Sequence, residues 1–226
     1  MTKNKIDARL EQCKAEGRKA LITFITAGDG GYDCTEKAVL EMAKNGADLI
    51  ELGVPFSDPI AEGPVIQCAS ERSLRNGTTL VGIFDLVRRL RKETDVPLLL
   101  MMYLDTIFCF GTDRFFALCE ECGIDGVIVP DIPFEEKDEI QGSADAHNVH
   151  NISLVTPASE DRIQMIASEA TGFLYCVSSN GVTGVRSQFQ TDFAPFFEKI
   201  HKYAKVPCAV GFGISGPEAA FALPAE

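Results

Sequence analysis

The stretch LIELGVPFSDPIAEGPVIQ, residues 49–67, is the most informative part of the sequence. It starts as an apolar run from Leu49 to Val54, which predicts a buried strand, and it continues into a loop rich in proline and glycine. One carboxylate, Glu51, interrupts the apolar run, and a second, Glu62, lies in the loop. Two acids so close together, at a strand end and in the loop after it, suggest a site with acid chemistry.

Comparable apolar runs recur along the chain and alternate with segments of helical periodicity. The runs are continuous rather than strictly alternating, which indicates strands that are buried on both faces and paired in parallel. Besides residues 49–53, strands are predicted at 20–26, 96–103, 126–129, 152–155, 172–177 and 208–212, and helices at 3–16, 36–45, 78–93, 112–121, 134–146, 159–169 and 191–204. Seven β-then-α steps predict an α/β fold, with a (β/α)8 barrel favoured over a doubly wound sheet. No GxGxxG motif follows the first strand, and a single domain over residues 1–226 is expected.

Composition and charge exclude several functions. The chain of 226 residues has a net charge of −12, which argues against a surface for nucleic acid or for an anionic membrane. No apolar stretch predicts a signal peptide or a membrane span, so a cytoplasmic protein is expected. No metal site is expected, because the Cys119–Cys122 and His147–His150 pairs lack further ligands at metal spacing.

In a (β/α)8 barrel the chemistry lies at the carboxyl ends of the strands and in the loops that follow. A desolvated carboxyl at such a strand end, as expected for Glu51, has a raised pKa that suits a general acid, although it could instead tie down a neighbouring loop. Glu62 lies on a loop that could close over a ligand. The glycine-rich loops at 180–184 and 211–215 predict a phosphate site built from backbone N–H groups.

Several motifs together resemble the tryptophan synthase alpha subunit family. They are FITAGD (24–29), IELGVPFSDP (50–59) with GPVIQ (63–67), DGVIVPDIP (125–133), FLYCVSSNGVTG (173–184) and VGFGIS (210–215). The resemblance implies a barrel enzyme that cleaves indole-3-glycerol phosphate to indole and glyceraldehyde 3-phosphate. It implies no cofactor in this chain and a β subunit partner, in an α2β2 complex, that carries pyridoxal phosphate.

The resemblance also implies a role for individual residues. Glu51 would act as the acid and base at the bond that breaks, and Glu62 would bind the indole N–H. The substrate pocket would be lined by Phe24, Ile66, Met101, Ile128, Tyr175, Thr183 and Phe212, and the phosphate would be bound by Gly184 and Gly213. For the apolar members a place in the barrel core is the competing interpretation.

The sequence departs from the family at two places that matter. The family has aspartate where this chain has Glu62, and residues 216–226 form an atypical tail after an incomplete barrel over about 18–215, so that the eighth βα unit is expected to be missing. Two alternative functions therefore stay open. One is an impaired barrel that only docks on a β subunit and activates it, and the other is a different sugar-phosphate barrel enzyme.

Overall fold

The computed structural model describes residues 3–177, 193–211 and 216, which form two compact units. The first unit contains residues 1–59 and 66–151, and the second contains residues 60–65 and 152–226. Thr183, Gly184, Phe212 and Gly213 lie outside the described residues.

Strands are followed by one or two helices along most of the described chain, except between the strands at His150–Asn151 and Leu154–Val155. The strands are β1 Ile22–Thr26, β2 Leu49–Gly53, β3 Leu98–Met101, β4 Gly126–Ile128, β5 His150–Asn151, β6 Leu154–Val155, β7 Leu174–Val177 and β8 Cys208–Gly211. The α-helices are α1 Lys5–Ala15, α2 Tyr32–Lys44, α3 Pro64–Arg75, α4 Leu80–Leu90, α5 Leu104–Phe110, α6 Thr112–Cys122, α7 Asp138–Ala146, α8 Ile163–Glu169 and α9 Phe193–His201. Short 3₁₀ segments at Phe134–Glu136 and Pro157–Arg162 precede α7 and α8.

The described strands form two sheets in which every pairing is parallel. The first sheet has the order β1-β2-β3-β4-β5 and the second the order β6-β7-β8. Within each of the two described sheets, every strand thus pairs with its neighbour in the chain, with no reversal of strand order of the kind that defines a doubly wound sheet. The predicted strand at 152–155 contains β6 but starts two residues too early, because residues 152 and 153 separate β5 of one sheet from β6 of the other.

One face of the first sheet is buried beneath the helices. The side chains of this face form one apolar cluster with α4 and α6. The strands contribute Ile50, Leu52, Leu98, Leu100 and Val127, and the helices contribute Ile83, Phe84, Val87, Phe115 and Phe116. Capping fixes where these helices begin and end. The Thr79 hydroxyl accepts a hydrogen bond from Gly82 N–H at 3.1 Å before α4, and Gly123 ends α6 in the left-handed conformation.

Two buried carboxylates fix the amino ends of the strands. Asp48, just before β2, accepts from Leu21 N–H at 2.8 Å, and Asp125, just before β4, accepts from Leu98 N–H at 2.9 Å. Asn4 donates to the carbonyl oxygens of Asp125 and Asn148 at 2.8 Å each, which places the start of α1 at the same end of the sheet. The carboxyl ends of the strands are therefore left for other contacts.

Candidate active site

Glu51 lies in the middle of β2, and only 3% of its surface is exposed. No basic side chain or hydrogen-bond donor among the described residues contacts its carboxyl group. Burial, which disfavours the charged form, raises the pKa of Glu51 to about 8. At neutral pH the carboxyl group is therefore mostly protonated, as a general acid must be.

The strand register shows which residues share the face of Glu51. Phe24 of β1 and Leu99 of β3 are the direct neighbours of Glu51, and Gly53 pairs with Met101, which in turn pairs with Ile128. Since paired residues of a parallel sheet point to the same face, as do residues two apart in one strand, these side chains lie on one face. It is opposite to the helix-covered face.

Four predicted site residues are thus brought together on the first sheet: Phe24, Glu51, Met101 and Ile128. Ile128 is fully buried and Met101 is half-buried, whereas 36% of Phe24 is exposed. The arrangement places an accessible aromatic ring and a protonated acid on adjacent strands. Such a face can bind a flat apolar molecule and deliver a proton to it.

A residue that the sequence did not single out lies on the same face. Thr26, at the carboxyl end of β1, pairs with Gly53 and is 4% exposed. Its hydroxyl group is buried without a hydrogen-bond partner among the described residues. Because an unsatisfied buried hydroxyl is costly, Thr26 is suited to bind a polar group of a ligand. The sequence signal that could have identified Thr26 is its place in the motif FITAGD.

Aromatic packing stabilises the loop after β2. The ring of Phe56 packs on that of Tyr103 with centroids 5.0 Å apart, and Tyr103 is 4% exposed. Asp131 accepts a hydrogen bond from Leu104 N–H at 3.0 Å and so fixes the turn after β3. Neither Tyr103 nor Asp131 was predicted as a site residue, since their contacts become evident only in the folded chain.

Ile66 and Glu62 flank the start of α3. Ile66 is half-buried in the first turn of that helix, and Glu62 is half-buried in segment 60–65, which belongs to the second unit. Glu51 belongs to the first unit. Arg72 of α3 forms a bidentate ion pair with Asp29, with N–O distances of 2.7 and 2.8 Å. The Ser73 hydroxyl donates a hydrogen bond to the Ala27 carbonyl oxygen at 2.6 Å. These bonds hold the helix on the turn that follows β1.

Tyr175 is the described site residue of β7, and it is 7% exposed. Its ring lies over Gly211 of the neighbouring strand. A Cβ atom added at Gly211 would lie 2.1 Å from the Tyr175 ring, so no side chain fits there. Gly211 is therefore required for the position of Tyr175.

Comparisons with known proteins point to one family. A profile of the family described as "Tryptophan synthase alpha chain" matches residues 10–224. The tryptophan synthase alpha chain of Caldanaerobacter subterraneus subsp. tengcongensis is 45% identical over 217 residues, which cover 96% of this chain and 83% of that protein.

Two solved structures resemble the chain over most of its length. The tryptophan synthase alpha chain of Legionella pneumophila matches with a TM-score of 0.85 and 36% identity, over 96% of this chain and 80% of the other. The tryptophan synthase α2β2 complex of Pyrococcus furiosus contains a chain that matches with a TM-score of 0.82 and 33% identity, over 89% of this chain and 82% of that chain. These likenesses confirm the α/β class and the (β/α)8 barrel lineage predicted from the sequence. Within the described residues, no helix combines the length and apolar composition needed to cross a membrane.

Proposed function

The chain belongs to the tryptophan synthase alpha chain family, and on that premise we propose how its residues perform the family's reaction. It is a lyase of tryptophan biosynthesis that cleaves indole-3-glycerol phosphate to indole and glyceraldehyde 3-phosphate. Its partner is the β subunit, which carries the pyridoxal phosphate of the complex, and the alpha chain itself carries no cofactor.

The chemical problem is the carbon–carbon bond between indole C3 and the glycerol chain. Indole is a poor leaving group until C3 is protonated, because the ring then becomes an electron-accepting indolenine. When the hydroxyl group on the adjacent carbon loses its proton, the electron pair of the breaking bond moves into the ring. The products are indole and an aldehyde.

We assign both proton transfers to Glu51. The protonated carboxyl group gives its proton to C3, and the resulting carboxylate takes the proton of the glycerol hydroxyl, so that Glu51 ends the cycle as it began. The observation that supports this assignment most strongly is the burial of Glu51, which raises its pKa to about 8 and keeps it protonated at neutral pH.

The neighbouring side chains supply binding rather than proton transfer. Phe24, Met101 and Ile128 share the face of Glu51 and would contact the apolar indole ring, and Thr26 would bind a glycerol hydroxyl group. By the family resemblance, Glu62 would accept a hydrogen bond from the indole N–H, which gains positive charge when C3 is protonated. The same resemblance assigns substrate contacts to Ile66, Tyr175, Thr183 and Phe212, and phosphate binding to Gly184 and Gly213.

The experiment that tests this function is an assay of indole release from indole-3-glycerol phosphate, with and without a β subunit. We expect release by the parent chain, stimulation by the β subunit, and nearly complete loss of turnover in Glu51→Gln with binding largely retained. Glu93→Gln, the same substitution at an exposed carboxylate, serves as the matched control and should leave turnover unchanged.

Two outcomes would contradict the proposal. Undiminished turnover in Glu51→Gln would remove this residue from the mechanism. A parent chain that releases no indole but still activates the β subunit would instead favour the docking function, for which the replacement of the family's aspartate by Glu62 is the supporting observation.

We also propose a cytoplasmic location. All eight cysteines of the sequence are free thiols, as is usual in a reducing compartment. Fractionation of cells that express the chain tests this proposal, and recovery from a membrane or secreted fraction would contradict it.

A further inference from the structure

The ring of Phe24 lies directly across Gly53 of the neighbouring strand. A Cβ atom added at Gly53 would lie 2.5 Å from Cζ and 2.8 Å from Cε2 of Phe24, whereas carbon atoms in contact are about 3.5–4.0 Å apart. Gly53 is not among the glycines with a positive φ, so its backbone conformation would accept alanine. The ring of Phe24, and not the backbone, therefore requires glycine here.

The strand register places this contact beside the acid. Phe24 pairs with Glu51, and Gly53 is two residues further along the same strand. The ring therefore leans from β1 over β2 toward its carboxyl end, on the face that carries the Glu51 side chain. It is also accessible, since 36% of Phe24 is exposed beside a carboxylic acid that is 3% exposed.

We infer that Gly53 is a positioning residue, which holds the Phe24 ring at the place where it stacks on the aromatic ring of the substrate next to Glu51. This inference rests on the proposed function, because it takes indole as the ring that Phe24 contacts. A side chain at position 53 would displace the Phe24 ring by about 1 Å to reach ordinary contact distance. The stacking contact would then be lost or misaligned, while Glu51 would keep its place on β2.

Indole itself is a suitable probe, because the sequence has no tryptophan and the fluorescence of bound indole can be excited selectively. The dissociation constant is measured for the parent, Gly53→Ala, Phe24→Leu and the double variant. Gly142→Ala is the matched control, since no atom lies within 4 Å of the added Cβ atom and its φ is ordinary. Circular dichroism of each variant checks that the chain is folded.

We expect Gly53→Ala to raise the Kd of indole up to about tenfold, the effect of losing one aromatic stacking contact. Leucine lacks the Cζ and Cε2 atoms that oppose a Cβ atom at position 53. In the Phe24→Leu background, Gly53→Ala should therefore change the Kd less than about twofold. In the cleavage assay, the KM of Gly53→Ala should rise more than its kcat falls.

Two results would overturn the inference while leaving the proposed function intact. One is that the parent is active and Gly53→Ala binds indole with the same Kd. The other is that Gly53→Ala weakens indole binding equally in the parent and in the Phe24→Leu background. A parent chain that neither binds indole nor cleaves the substrate would refute the proposed function, and this inference would fail with it.

Discussion

Replacement of Glu51 by glutamine tests the buried acid through stability as well as activity. Glutamine keeps the size of the side chain but carries no titrating proton. In the folded chain burial raises the pKa of Glu51 to about 8 from an ordinary value of 4.5. Between these two pH values the folded chain retains a proton that the unfolded chain has released. The free energy of unfolding of the parent must therefore fall as the pH rises through this window.

The size of the effect follows from the separation of the two pKa values. Each pH unit corresponds to about 1.36 kcal/mol, and the group is half-titrated at each pKa, so the parent loses about 4 kcal/mol of stability between pH 4.5 and pH 8 and about 3 kcal/mol by pH 7. Glu51→Gln does not undergo this loss. The free energy of unfolding of Glu51→Gln should exceed that of the parent by nearly zero at pH 4.5 and by about 3 kcal/mol at pH 7. At pH 7 this difference corresponds to a melting temperature that is higher by about 6–12 °C in a chain of this length.

Urea unfolding followed by circular dichroism at pH 5, 6, 7 and 8 measures this difference. Glu93→Gln, the same substitution at an exposed site, controls for the change of residue type. Glu51→Gln should be more stable than the parent at neutral pH although it releases almost no indole. In the parent, kcat/KM should fall as the pH rises above about 8, because the acid form of Glu51 is lost. If the stabilities of parent and Glu51→Gln stay parallel from pH 5 to pH 8, the reasoning is refuted.

Four further substitutions test other parts of the molecule. Glu62→Asp restores the side-chain length of the family, and we expect faster indole release, since a misplacement of about 1 Å can cost about 10²-fold in rate; a slower variant would show that the loop is adapted to glutamate. Thr26→Val removes the hydroxyl that lacks a partner among the described residues and should leave the free energy of unfolding equal or up to about 1 kcal/mol higher while the KM rises. Thr23→Val removes a second hydroxyl that has no hydrogen-bond partner in the described part of the chain, on the opposite face of β1, and should leave the KM unchanged. Equal KM values in both variants would contradict the role of Thr26. Asp125→Ala removes the buried carboxylate that lies 2.8 Å from the guanidinium of Arg91, whose side chain is only 12% exposed. We expect the free energy of unfolding, measured in urea, to fall by about 3–5 kcal/mol, whereas a loss below about 1 kcal/mol would contradict this.

The strands of the first sheet were largely predictable because their apolar runs are continuous, and every residue of β2 and β4 is buried. The predicted run at 49–53 agrees with β2, and the runs at 20–26 and 96–103 contain β1 and β3 with frayed ends. The apolar signal of such a strand is continuous, so its existence is clear while its ends are not.

Two helices were not predicted, for different physical reasons. The helix α3 has only small or polar buried residues, Ala69, Ser70 and Ser73, and its proline at the first position was taken as part of a loop. Proline is in fact favoured at the first turn of a helix. The helix α5, with seven residues, is too short for a helical period to stand out from the strand before it.

The candidate site was predictable in its residues but not in its packing. The isolated acid in an apolar run indicated Glu51, and the family resemblance supplied Phe24, Met101 and Ile128. The need for glycine at position 53 could not be derived in this way, since it depends on where the Phe24 ring lies. The unpartnered state of the Thr26 hydroxyl likewise depends on distances between strands.

The order of the first sheet has a consequence for how the protein is made. Each of its strands pairs with the strand that precedes it in the chain, and the last of them, β5, ends at Asn151. As the ribosome releases the chain from its amino terminus, each new strand finds its partner already present, and no pairing within this sheet has to wait for the residues that follow. We therefore expect amide protons of β1–β4 to be protected from exchange in ribosome-bound chains that are stalled once residue 151 has left the exit tunnel. Protection that arises only after β8 has emerged would show that the two sheets form together.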